Sequence, residues 1–315
     1  LDHGENYKYP GVIVAAISES KGADGIIGFA DKFPQGKING LNDPSLEIVF
    51  TADSPSSFLL DLTIADFDLD LLRKENSWKV EVDGSSKVLE QAKKGKGDVF
   101  VMWEPDLSEA LKIPGVKYIW GSDKFSGYIV DVIVFRRDFL RKEADTVKRF
   151  LSTYFRTLKL YANNRDRMLA GMKKSTGLKE DVLEGILKKI EWFSLWENCQ
   201  LEFDIPMNKN SKAQEGIINT IIACTDVLIR SGRFKSDPLE GNPYKITNKS
   251  ILTELSKGQI RSFGSNKGKN VDFNQLSDDE WSRLEEIGTF RIEPITFQSW
   301  NNQLTDEAKE RLGKI

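Results

Sequence analysis

The apolar positions in the N-terminal part of the chain fall in short continuous runs. They are Val12–Ile17 (VIVAAI), Ile26–Phe29, Leu46–Phe50, Asp98–Trp103 (DVFVMW), Lys117–Trp120 and Tyr128–Phe135 (YIVDVIVF). Such runs predict strands, and runs without alternation predict strands buried on both faces, as in a parallel sheet. Trp78–Val82 (WKVEV) alternates instead and reads as a half-buried strand. Between the runs the period becomes helical. Ser56–Phe67 is one predicted helix. Ser85–Lys94 is another, with a serine at its start and Lys93 and Lys94 at the end its dipole favours. Glu104-Pro105-Asp106 opens a third. Strand and helix in alternation predict βαβ units.

Beyond Phe135 the helical period dominates. Asp138–Asn163 predicts one long helix, with Val147, Phe150, Leu151, Tyr154, Phe155, Leu158 and Tyr161 on one stripe. Arg165–Ser175 and Leu178–Ile190 predict two more, separated by Gly177. Ser211–Ser231 predicts a strong helix stopped by Gly232, and Thr247–Lys257 a last one. The main domain is therefore expected to span residues 1–257. Residues 258–290 read as a polar, glycine-rich linker with a short helix capped by Ser277 and Glu280, and residues 291–315 as a strand and helix opening a further domain.

Composition narrows the function. The 315 residues are 39% apolar and 30% charged, as in a soluble globular protein. A net charge of -3 supplies no basic excess for nucleic acid. His3 is the single histidine, which leaves a Ser-His-Asp triad and a histidine metal site without their central residue. Two cysteines, Cys199 and Cys224, make no disulfide framework, and their spacing leaves a single bridge between them open. Phosphate-loop and dinucleotide fingerprints are absent from the sequence, so the expectation is a non-enzyme. No run is long and apolar enough to span a membrane. The chain opens Leu1-Asp2 without a methionine, which reads as a processed or shortened product.

Candidate chemistry sits on strand-to-helix turns. Ser54-Pro55-Ser56-Ser57 follows a strand and starts a helix, where free amides and hydroxyls can hold a ligand. The same residues also suit a plain cap, with Ser54 at the N-cap and Pro55 at the first helical position. Trp103 is either a stacking wall or an ordinary buried aromatic. Glu104 is either a ligand contact or a first-turn charge favoured by the dipole. Lys21 reads as solvated or ligand-bound. Asp131 interrupts an apolar run, so it must find a partner or face a cleft. Trp192 and Trp196 read as core or hinge packing.

Three turns in order, SESKGAD (Ser18–Asp24), SPSSF (Ser54–Phe58) and WEPD (Trp103–Asp106), resemble those of periplasmic solute-binding proteins of nitrate/sulfonate/taurine-type ABC importers, a group that includes thiamine-precursor binders. The resemblance covers about Val12–Ser231. It implies a two-lobe periplasmic-binding-protein type II α/β fold with parallel-type sheets and flanking helices, and hinge closure on a small polar or anionic solute. Ser18, Lys21, Gly22, Asp24, Ser54, Ser56, Ser57, Trp103, Glu104 and Asp131 would line the cleft. No metal and no cofactor are implied. The partners would be the solute and a transporter permease, in the periplasm or cell envelope of a bacterium. The family's opening strands and helices have no counterpart before Val12, so the first lobe is expected to be incomplete. Ile292–Ile315 resembles the start of an OmpA-like domain, which would add peptidoglycan as a partner. The alternative role is a wall-anchored scaffold or sensor that does not transport.

Overall fold

The computed structural model describes residues 8–33, 37–207 and 212–259. Its organising strand is β1 (Gly11–Ser20), which leaves one sheet and feeds the next through the turn at Lys21–Ala23. The second sheet contains β2 (Asp24–Phe29), β3 (Ile48–Thr51), β4 (Lys79–Val82), β5 (Val99–Trp103) and β6 (Val116–Gly121), in the order β4-β3-β5-β2-β6. β3 is parallel to β4 and β5, whereas β2 is antiparallel to β5 and β6. Side-chain alternation splits each apolar run between two cores. Ile26, Ile48, Phe50 and Val101 pack with α1 (Pro55–Asp66) on one face. Ile27, Val49, Phe100 and Met102 pack on the other, under α3 (Ser85–Lys93) and α4 (Asp106–Ala110). A short α2 (Asp70–Lys74) lies between α1 and β4 in the chain. Both faces are covered, which is why these runs show no polar alternation.

The chain returns to the first sheet as β7 (Val130–Arg136). That sheet has three strands, β7-β1-β8, with β8 at Ile190–Trp192, and both pairings are antiparallel. Its helices are α5 (Arg137–Lys142), α6 (Ala144–Ala162), α7 (Arg165–Thr176), α8 (Glu180–Leu187), α9 (Leu195–Glu197), α10 (Gly216–Arg230) and α11 (Ser250–Gln259). Val12, Val14, Leu151, Phe155, Ile217 and Ile221 share one core there. α10 ties the units together. Its N-terminal half packs in this core, while Val227 reaches the core around α1 and Arg230 pairs with Asp66 at 2.8 Å. Arg233, just past α10, pairs with Asp61 of α1.

Several expectations are corrected. β1 was expected in a parallel sheet, yet both of its neighbours are antiparallel; it is buried because helices cover it, not because the sheet is parallel. The single helix over Asp138–Asn163 is two, broken at Glu143, whose φ of -122° and ψ of 37° leave the helical region. On the α6 stripe, Val147, Leu151 and Phe155 are buried but Phe150 is exposed. The helix expected to reach Ile190 stops at Leu187, because Ile190–Trp192 pairs with the end of β1 instead. The expected linker and OmpA-like segment lie outside the described residues, except residues 258 and 259, which extend α11.

Candidate functional site

The two crossings between the units meet at one junction. Gly22 sits in the first crossing with φ of 109°, a conformation glycine adopts without a Cβ penalty. Its N–H donates to Ser122 Oγ at 2.9 Å. Ser122, in the second crossing, also accepts from Asp24 N at 3.2 Å, and its hydroxyl lies 2.7 Å from that of Ser20. Ser20 Oγ donates to Asp24 Oδ2 at 2.6 Å. Backbone bonds stitch the crossings further: Ser20 N to Ile129 O at 2.9 Å and Lys21 N to Lys189 O at 2.8 Å.

Around this knot the structure gathers most of the expected cleft residues. Ser18 Oγ donates to Asp131 Oδ2 at 3.0 Å, across a direct β1/β7 pair. Glu104 N donates to Ala23 O at 2.8 Å, which seats Glu104 beside the first crossing. The Glu104 side chain is 2% exposed and pairs with Lys189, which precedes β8. Ser108 Oγ donates to the same carboxylate at 2.8 Å. This ion pair joins the five-stranded unit to the three-stranded one. Trp103 is half-buried and pairs with Asp24 in the β2/β5 register. Lys21 is held by Glu19 at 2.7 Å and Ser126 at 2.7 Å.

Charge at the junction is unbalanced. Burial raises the Asp24 carboxyl; the Ser20 hydroxyl opposes that rise, the Asp131 and Glu104 charges add to it, and the result is about 6. Breaking the Lys189–Glu104 pair leaves a buried carboxylate with only its Ser108 contacts. Lys189→Met is therefore expected to destabilise the protein by about 2 kcal/mol, less than a fully buried pair because Lys189 keeps partial solvent access. Thermal denaturation of the variant checks this, and an unchanged midpoint would show that the pair contributes nothing.

The serine turn is a separate feature. Ser57 N donates to Ser54 Oγ at 3.4 Å and Ser54 N to Ser57 Oγ at 3.1 Å, a reciprocal capping box with Pro55 behind it. Ser54 and Ser57 thus spend hydroxyl contacts on their own helix start. Ser56 is fully buried and its hydroxyl has no partner. No hydrogen bond among the described residues links this turn to the junction. Ser20 lies inside the SESKGAD turn, though it was not singled out within it. Sequence reading missed Ser122 and Lys189. Ser122 carried a usable signal, a small hydroxyl residue just past a strand end; Lys189 carried none. Cys199 and Cys224 are free, and burial pushes both thiols up to about 12, far from nucleophilic thiolates.

No protein-family model matches the chain, and no curated protein matches it. Solved structures do. The periplasmic aliphatic sulphonate binding protein SsuA of Escherichia coli matches with a TM-score of 0.53 at 16% identity, over 75% of this chain and 74% of that one. A putative periplasmic sulfonate-binding protein of Methylobacillus flagellatus KT matches with 0.55 at 12% identity, over 84% and 74%. The desulfurization enzyme DSZB matches with 0.50 at 10% identity, over 79% and 80%. The fold is therefore that of the periplasmic binding proteins, and it is a fold that carries an enzyme as well as binding proteins. No helix among the described residues is long and apolar enough to cross a membrane.

Proposed function

We propose that the protein binds a small polar solute between its two units and delivers it to an ABC importer in the bacterial periplasm or cell envelope. The observation that carries this reading is the convergence of Ser18, Gly22, Asp24, Glu104 and Asp131 at the crossings of a periplasmic-binding-protein fold. Ligands of α/β proteins gather where strand ends from different units face each other. The Lys189–Glu104 pair bridges the two units beside these residues. Trp103 and Lys21 flank these residues, whereas the serine turn serves its own helix start.

Native mass spectrometry of the purified protein, followed by isothermal titration with whatever co-purifies, tests the proposal. One solute per chain, with a compaction in small-angle scattering on binding, is the expected result. A protein that carries no solute and binds none from a panel of small anions, amines and thiamine precursors would overturn it.

A further inference from the structure

β1 begins beside a cavity at the end of its unit far from the crossings. Val12, at the cavity, and Ser20, at the first crossing, stand near opposite ends of the strand, about 26 Å apart at about 3.3 Å per residue. The cavity has a volume of about 380 Å³, within the range of pockets that take small organic ligands. Val12, Leu140 and Ile251, all buried, give it an apolar floor.

Its polar wall is cationic. Arg137 and Arg141 of α5 line it, and among the described residues no carboxylate does. Arg137 is half-buried, and its guanidinium is fixed from two sides: Nε donates to Tyr9 O at 3.0 Å and Nη2 donates to Lys245 O. Both acceptors are neutral carbonyls, so this guanidinium is oriented without being neutralised. Asn248 adds donors. Its Oδ1 accepts from Ser250 N at 3.0 Å and from Ser250 Oγ at 2.6 Å, which leaves the Nδ2 N–H groups for another partner. This wall is anchored to β1, through Asn248 N to Ile13 O at 2.9 Å and the Thr247 bridge to Ile13. Ala144 and Ser250 open α6 and α11 at the same cavity, with the helix ends that favour an anion; Asp145 opposes this in the first turn of α6, and α11 has no acid in its first turn.

We propose that this cavity is a second ligand site, for an organic phosphate or sulfate monoester. Arg137, Arg141 and Asn248 hold the oxyanion, and the apolar floor takes the ester group. Donors from two separate segments suit a tetrahedral oxyanion better than the two coplanar oxygens of a carboxylate. The cavity itself carries the proposal, which stands apart from the inter-unit solute.

Isothermal titration of the whole chain at low salt with phenyl phosphate, inorganic phosphate and benzoate tests it. Phenyl phosphate is expected to bind, and to bind about tenfold or more weakly in Arg137→Gln and in Arg141→Glu. Arg137 also ties two backbone segments, so circular dichroism checks the fold of its variant; the exposed Arg141→Glu keeps the test decisive where Arg137→Gln does not fold. Inorganic phosphate bound as tightly as phenyl phosphate would keep the oxyanion site and overturn the ester assignment. Benzoate bound in place of phenyl phosphate would overturn the tetrahedral assignment. No saturable binding of phenyl phosphate, or binding unchanged in the folded variants, would overturn the site itself.

Discussion

Glu202→Gln is expected to stabilise the ligand-free protein by about 3 kcal/mol at pH 8 and to change little at pH 4. The sign follows from the direction of the shift. Glu202 has an ordinary value of 4.5 and stands at about 7 when folded. The folded state therefore holds its proton more tightly than the unfolded chain. That contribution is fully present below 4.5 and is lost as the pH rises through 7. Glutamine mimics the protonated acid at every pH, so the variant keeps what the wild type loses. Asp24 behaves alike, from an ordinary 3.8 to about 6. The wild type should thus weaken steadily from pH 4 to pH 8. Urea denaturation of both proteins at pH 4, 6 and 8 measures the difference. A difference that does not grow with pH would show that Glu202 titrates normally.

The fold was legible wherever local pattern and burial agreed. The runs at Ile26–Phe29, Leu46–Phe50 and Asp98–Trp103 read as strands because both sheet faces are covered, and they are β2, β3 and β5. The serine cap of α1 read correctly because its partners lie within one helical turn. What was not legible depends on distant residues. β8 is three residues long, and Ile190 also fits the helical spacing of α8; only pairing with Ser18–Ser20 makes a strand of it. The break at Glu143 has neither proline nor glycine beside it. For the candidate site, the turns holding Ser18, Gly22, Asp24 and Glu104 were recognisable as a set. Lys189 was not, because a charged residue near a helix end looks the same whether it faces solvent or a buried carboxylate.

Asn198→Ala is expected to destabilise the protein by about 4 kcal/mol. β8 covers only the last residues of β1, Ser18–Ser20, and the next contact is Phe193 N to Ile17 O at 2.9 Å. Ala16 is then left on an uncovered edge deep in the protein. Asn198, 0% exposed, takes the place of a strand there. Its Oδ1 accepts from Ala16 N at 2.7 Å and its Nδ2 donates to Ala16 O at 2.9 Å. The same Nδ2 reaches Phe193 O at 3.2 Å and Ser194 O at 3.0 Å, tying the segment after β8 to β1. Alanine would orphan both backbone groups of Ala16 where water cannot replace the amide, at about 1–3 kcal/mol each. Asn198→Asp should fare no better, since a carboxylate keeps the acceptor but loses every donation and adds a buried charge. Urea midpoints with unchanged slopes, and faster hydrogen exchange at the Ala16 amide, are the expected measurements. A loss below about 1 kcal/mol with slow exchange retained would mean that β1 holds its edge without Asn198. Because β1 runs directly into the first crossing, loosening Ala16 should also blur the positions of Ser18, Glu19 and Ser20. Solute affinity is therefore expected to fall in Asn198→Ala even under conditions where the variant remains folded.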